Sequence, residues 1–493
     1  MRGRGRKKLT RTERCASVVA ALAYVTLAGG AAWAQDTDTV DRREFSITPK
    51  LGLQTSFTDN ALLTSANRQS DVVLRADANA IIAVNTDRTK VNVDSALSYD
   101  QYVNNGNLSG WSLYGFGSGS YTIVPGALSL EAEGTVTNGT VSTFGTSAID
   151  RAGTVGRVQL ATYDVGPRYT TTLGDFADVN LLGRFAQVLY NADDTSTLTT
   201  LPRDSSIVEL TGMLDTGTRF PAYQLTTTGN YVQDDHDFQL YNVLQSAFIS
   251  VLPAVRLIAR GGYEDISQPG VISVTAPIAS GGVEISINRL SKITLEAGTR
   301  YDRGTWDANI YLQFTDRIYV TGRYYEVLEP AQIQINSSFS DFVTTSRLLP
   351  TPTTSTNFLI TGNIYNQTSL NKTAESHIVY RWENDTIDLD ASWNDRYFIA
   401  TGDHDRVAVA NASYYRRIRP DLTAQIRVSY GQTFASPIYG ASSSYGGEIN
   451  LAYDLNSQMV AKAGYAMAQQ QRTSPSRESL SENVLFASIE RRF

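Results

Sequence analysis

From residue 46 to the C-terminus the chain repeats one pattern, in which segments of 10 to 15 residues alternate apolar and polar positions. In 90–101, Val91, Val93, Leu97 and Tyr99 share one face, and Lys90, Asn92, Asp94, Ser98 and Asp100 share the other. Period-two alternation marks a strand with one apolar and one wet face. The reading recurs down the chain. Leu128 and Leu130 oppose Glu131 and Glu133, Ile293 and Leu295 oppose Lys292, Thr294 and Glu296, and Ile387, Leu389 and Trp393 oppose Asp388, Asp390, Asn394 and Arg396. Soluble sandwich strands run nearer five or six residues, about half these lengths.

The connections fall into two kinds. Short ones occur at 85–88, 124–126, 173–175, 252–253, 289–291, 315–316, 382–385, 419–421 and 454–456. Between them lie longer stretches rich in Ser, Thr, Asn and Gly, at 59–70, 138–151, 191–204, 267–280, 435–442 and 470–482. Tight turns alternating with long loops are what a transmembrane barrel has, with periplasmic turns at one rim and extracellular loops at the other. The pattern therefore predicts an all-β, transmembrane antiparallel β-barrel of about 22 strands, within a range of 18 to 24.

The final stretch, 483–493, supports closure. It places Leu485, Ile489 and Phe493 on one face, with Arg491 in the same phase at the rim, and Glu490 and Arg492 on the other. An open edge needs a partner, and the strand near 47–57 supplies it. Residues 331–372 fit no single strand; they read as one long surface loop, a loop folded into the lumen, or a further hairpin. Terminal Phe493 has the character of a barrel-assembly signal, although Arg491 stands where a large apolar residue is usual.

Composition agrees with a barrel. Apolar residues make up only 42% of the chain, yet tyrosine appears 27 times. Tyr99, Tyr102, Tyr163, Tyr169, Tyr190, Tyr263, Tyr301, Tyr430 and Tyr465 lie near strand ends, as expected of girdles at the two headgroup levels. The first 34 residues read as a signal peptide, with a basic start, an apolar stretch from Ala16 to Ala31 and the small-residue site Ala32-Trp33-Ala34. Residues 35–45 read as a short periplasmic leader and 46–493 as a single barrel. Removing the signal takes the formal charge from -7 to -13, which argues against nucleic acid as a partner. Cys15, the one cysteine, leaves with the signal, and with it goes any thiolate chemistry. No later stretch reaches 18 consecutive apolar residues, so no membrane helix is expected.

Candidate chemistry is sparse. Of the histidines, His236 sits among Asp234, Asp235 and Asp237, and His404 between Asp403 and Asp405, while His377 has no acid beside it. Neither acidic run matches a calcium loop, so both read as solvated connections. No catalytic residue, metal site or cofactor is expected. Function instead points to charges on the inward phase: Arg256, Arg260, Lys292, Glu296, Arg300, Arg323, Asp388, Asp390, Arg396, Arg427 and Lys462. Lys90, Asp94, Glu131, Glu133, Arg157, Glu209, Arg381, Arg406 and Glu490 fall on the same assigned phase. Both signs are interspersed, as in a watery lumen or a track that binds a hydroxyl-rich or uronic-acid polymer weakly at many points.

Several stretches carry a resemblance. Gly-Gly-Val-Glu-Ile at 281–285, Ser-Lys-Ile-Thr-Leu-Glu-Ala-Gly-Thr-Arg-Tyr at 291–301, Arg-Ile-Tyr-Val-Thr-Gly-Arg-Tyr-Tyr-Glu at 317–326, Phe57-Thr58-Asp59-Asn60 and Gly174-Asp175-Phe176-Ala177-Asp178 resemble the outer-membrane β-barrel family associated with bacterial exopolysaccharide export. The resemblance implies an outer-membrane, non-enzymatic pore or accessory channel for exopolysaccharide. Its implied partners are membrane lipid and lipopolysaccharide, the barrel-assembly machinery, a polysaccharide and periplasmic export components. A general diffusion porin for small solutes and a structural or adhesive barrel remain open beside it.

Overall fold

The computed structural model describes residues 44–140, 148–149, 151, 157–192, 203–220, 222–337, 367–437, 440–473 and 478–493. The expected signal segment 1–34 and nearly all of the leader lie outside these residues. The chain forms 22 strands. The first eight are β1 (Glu44–Thr58), β2 (Asp71–Asn85), β3 (Thr89–Tyr102), β4 (Gly110–Val124), β5 (Leu128–Thr140), β6 (Arg157–Leu173), β7 (Ala177–Ala192) and β8 (Ser205–Thr216). Then come β9 (Tyr223–Asp234), β10 (Gln239–Leu252), β11 (Val255–Gln268), β12 (Ile272–Asn288), β13 (Ser291–Arg300), β14 (Arg303–Thr315) and β15 (Ile318–Pro330). The last seven are β16 (Thr368–Arg381), β17 (Asp385–Phe398), β18 (His404–Arg419), β19 (Leu422–Ala435), β20 (Ser442–Asp454), β21 (Met459–Arg472) and β22 (Glu478–Arg492).

Each strand pairs antiparallel with its neighbours in sequence, and β1 pairs with β22 from Lys50↔Arg492 to Thr58↔Val484. The Phe493 N–H donates to the Pro49 carbonyl at 3.0 Å and extends the seam by one bond. Closure leaves no edge amide to meet hydrocarbon, where each unpaired group would cost several kcal/mol. All the turns at the rim that holds the chain ends are short, the longest being 217–222. Two of them close on glycines with positive φ, Gly126 at 74° and Gly174 at 63°, a conformation that glycine adopts without steric cost.

The outer face is apolar around the whole circumference. Leu53, Leu97, Leu181, Leu210, Leu257, Leu295, Ile426, Ile449 and Leu485 are all exposed. So much apolar surface belongs in lipid rather than water. Aromatic pairs mark its two borders: Tyr99 with Trp111 (ring centroids 4.8 Å apart) and Tyr430 with Tyr445 (5.2 Å) at the loop rim, and Tyr380 with Trp382 (4.7 Å) at the turn rim.

The structure corrects two expectations here. Tyr102, Tyr190 and Tyr301 are buried and belong to no girdle. The expected long loop at 267–280 is mostly strand, because β11 runs to Gln268 and β12 restarts at Ile272. Beyond the membrane the alternation inverts: Ile272, Val274, Ala276 and Ile278 take the inward phase of Glu284, while Thr275 faces out and donates to Asp265. A pattern opposite to the rest of the barrel, interrupted by Pro277, concealed that strand.

The inverted stretch has a purpose in the packing. A helix over 331–337 (α1) follows β15. Its Ile333 and Ile335 pack against a cluster of inward residues on the far wall, formed by Val158 and Leu160 of β6, Ala186, Val188 and Tyr190 of β7, and Ile207 of β8. Ile333 also packs against the cluster around Phe238, Ile266, Leu328 and Leu370, with Ile272 and Val274 at its margin. The start of the 331–372 segment thus lies inside the mouth, wedged between apolar patches on otherwise wet walls; residues 338–366 lie outside those described.

Candidate transport lumen

Below α1 the lumen has two chemically distinct walls. On β11–β13, alternation sends Arg256, Arg260 and Glu264 inward from one strand, Glu284 from the next, and Lys292, Glu296 and Arg300 from the third. Arg256 donates to Glu284 at 3.2 Å and to Gln224 at 3.0 Å, and Lys292 lies 2.6 Å from the second Glu284 oxygen. Arg260 donates to Glu296 at 2.8 Å. Arg300 donates to one Glu264 oxygen at 3.0 Å, and the Tyr301 N–H to the other at 2.6 Å. The three carboxylates are at most 6% exposed, whereas the four cations are 31–51% exposed. This wall therefore shows its positive ends to the lumen and keeps its negative ends behind them.

The wall on β5–β8 brings its charges together differently. Glu133 and Asp164 are direct cross-strand partners, and Arg184 faces Glu209. Arg184 reaches Asp164 only at 3.8 Å, and Arg168 is committed to Glu131 at 2.8 Å and Asn180 at 3.2 Å. Asp164 is 3% exposed, and one of its oxygens has no hydrogen-bond partner. Arg184 thus stands between Asp164 and Glu209 without a close ion pair to Asp164.

The remaining sequence-derived residues are spread around the barrel. Arg323 stacks on Tyr325 with its guanidinium 4.3 Å from the ring centroid. Arg396 is buried in an ion pair with Asp405. Arg427 donates to Glu448 at 3.3 Å, and Lys462 stands exposed on the inward phase opposite Ser488. Lys50 lies 3.9 Å from Glu490 at the seam. Arg157 and Arg406, assigned to the lumen by phase, lie on the outer phase. Val158 and Leu160 point inward beside Arg157, and Arg406 pairs with Asp395 at 3.4 Å across the outer face. The acid runs, expected as solvated connections, are partly buried: Asp234 ends β9 and Asp405 lies in β18, both largely shielded from solvent. The Asp234 carboxylate accepts from the N–H groups of His236 and Phe238 at 2.8 and 2.9 Å and so shapes the turn. His404 and Asp405 point to opposite faces.

Residues that sequence reasoning passed over matter as much. Glu264 and Glu284 anchor the positive wall, and the same alternation that picked out Arg256 and Arg260 would have found them. His377 of β16 meets Asp388 and Asp390 of β17, at 2.7 and 3.7 Å. It is singled out only when the strands are aligned, because His377 and Asp390 are cross-strand partners.

The mouth is also narrowed from the β5–β6 connection. Arg151 is buried against Glu482 of β22, and Glu482 also accepts from Thr58 at 2.7 Å and from the Ala148 N–H at 2.7 Å. That contact ties the connection to the closing seam.

No known family model matches the chain, and no curated protein is similar to it in sequence. Among solved structures the barrel is similar to the siderophore receptor PirA of Acinetobacter baumannii, with a TM-score of 0.51 and 9% identity over 93% of this chain and 81% of that one. A mutant of the ferric enterobactin receptor PfeA of Pseudomonas aeruginosa gives 0.48 at 10% identity over 91% and 81%, and OccK2 of the same organism 0.36 at 10% over 91% and 98%. Identities this low speak to fold alone. Closure, the lipid-facing outer band and this fold define an outer-membrane β-barrel.

Proposed function

We propose that the protein is an outer-membrane channel for small polar and charged solutes. The observation that carries this reading is α1, whose Ile333 and Ile335 occupy the mouth above a lumen lined by both signs of charge. A constriction over opposed charged walls sorts small hydrated solutes by size and sign. The test is single-channel conductance of the full chain in planar bilayers, compared with a variant lacking 331–337. A small conductance that rises several-fold on deletion supports the reading, and silence from both proteins overturns it.

A second reading, export of an exopolysaccharide, rests on the sequence resemblance and on the arginine-rich track of Arg256, Arg260, Arg300, Arg323 and Arg427. In that case Asp388, Asp390, Arg396, Lys292, Glu296 and Lys462 would line the polymer's path, with periplasmic export components as partners. Liposome swelling separates the two: free entry of mono- and disaccharides favours the channel, and a barrel closed to them until an export partner binds favours the conduit. Under either reading Phe493 serves barrel assembly, and its replacement by serine is expected to lower the assembled yield.

A further inference from the structure

We propose that His377, Asp388 and Asp390 form a binding site for a divalent transition cation such as Zn2+ on the lumen wall. Asp388 and Asp390 are two residues apart on one strand and so point to the same face, and His377 stands directly opposite Asp390 on the next strand. One atom from each side chain already lies within 4.8 Å of the others, and among the described residues this is the one group of three His, Cys, Asp or Glu side chains so arranged. His377 Nε2 is 2.7 Å from Asp388 Oδ1 and 3.7 Å from Asp390 Oδ1. An ion about 2 Å from each donor spaces its ligands at about 3 to 3.5 Å, so small side-chain movements convert the ion pair into a ligand set.

The donor set selects the ion. One imidazole nitrogen with two carboxylate oxygens suits Zn2+ and its first-row neighbours better than the all-oxygen preference of Ca2+ or Mg2+. Two carboxylates side by side on one strand face also repel each other without a cation between them. The charged groups facing them are His377 and Arg381, and Arg381 is turned toward Tyr319, 5.5 Å from its ring centroid and 3.4 Å from its hydroxyl. Tyr319 stands edge-on to the imidazole at 5.8 Å and helps fix its plane. The three donors are 17–25% exposed, so the remaining coordination positions open to the lumen and take water or a passing solute.

The test needs no transport and so is independent of the channel reading. The full chain, refolded in detergent without added histidines, is titrated with Zn2+ by calorimetry and with Co2+ by visible absorption. One saturable equivalent is expected, with affinity falling at least tenfold in His377→Gln and in Asp390→Asn. His236→Gln and His404→Gln, which remove the other two histidines, should leave it unchanged. A migration shift on heating checks that each variant is folded, and Asp388→Asn offers a second route if one is not. Absence of saturable binding, or binding that survives His377→Gln, overturns the proposal and leaves the three residues as an ion pair.

Discussion

The β11–β13 wall and the β5–β8 wall face the same water and use the same residue types, yet they pair their charges differently. On the first, carboxylates sit next to the backbone and long cationic side chains cover them. On the second, Glu133 and Asp164 pair directly with each other, and Arg184 stays 3.8 Å away. The difference lies in register: on β11–β13 each carboxylate meets a basic residue on a neighbouring strand, whereas on β5–β6 the position opposite Glu133 holds another acid, Asp164. Charge composition thus says less about a lumen wall than which charges its ladder brings together.

The largest expected effect follows from that contrast. Glu264→Ala leaves the Tyr301 N–H without its acceptor and Arg300, a third exposed, to water, a loss of about 1 to 3 kcal/mol. Urea unfolding in micelles measures it, and a loss below about 1 kcal/mol would show that the Tyr301 N–H finds water instead. Asp164→Asn on the opposite wall removes a charge that is poorly paired, so the same assay should read no loss or a gain. If both variants lose stability equally, the two walls do not differ as described.

A comparable effect is expected at Gly166, beside Pro167, where the β6–β7 ladder has a gap. An added Cβ there would lie 1.7 Å from the Gly183 carbonyl oxygen. Gly166→Ala should force the two strands apart and cost about 1 to 3 kcal/mol in the same unfolding assay. Selectivity comes next. Lys292→Gln removes the most exposed cation of the positive wall, and Glu131→Gln removes a lumen-facing anion of the other. Reversal potentials across a salt gradient should move in opposite directions, each by about twofold in the cation-to-anion permeability ratio, the scale of one screened charge. The smallest effect is reserved for the rim, where Arg419 and Asp421 are 3.2 Å apart and both exposed. Arg419→Ala should change stability by no more than about 0.5 kcal/mol.

Much of the barrel was legible in the chain itself. The stretch left between the connections at 59–70 and 85–88 is β2 at Asp71–Asn85, and the alternation from Ile387 to Arg396 lies in β17 at Asp385–Phe398. Leu485, Ile489 and Phe493 face lipid as read, and the closing strand pairs with β1. Errors gathered where the surroundings change along a strand. β12 was cut short because its upper half leaves the membrane and reverses its pattern, and Arg157 was given the wrong face at the same height on β6. The histidines show the other limit: neighbours in sequence drew attention to His236 and His404, but the one histidine that meets two carboxylates finds them on another strand.

Alternation and turn chemistry are local, and lipid outside with water inside enforces them where strands cross the membrane, so the sequence by itself determined the barrel architecture, an approximate strand number and the faces of the membrane-crossing stretches. Which inward charges meet, which lie bare, and that Ile333 and Ile335 bridge to the wall of β6–β8 depended on register and closure. These contacts join residues far apart in the chain, and they exist only once all 22 strands have closed the ring.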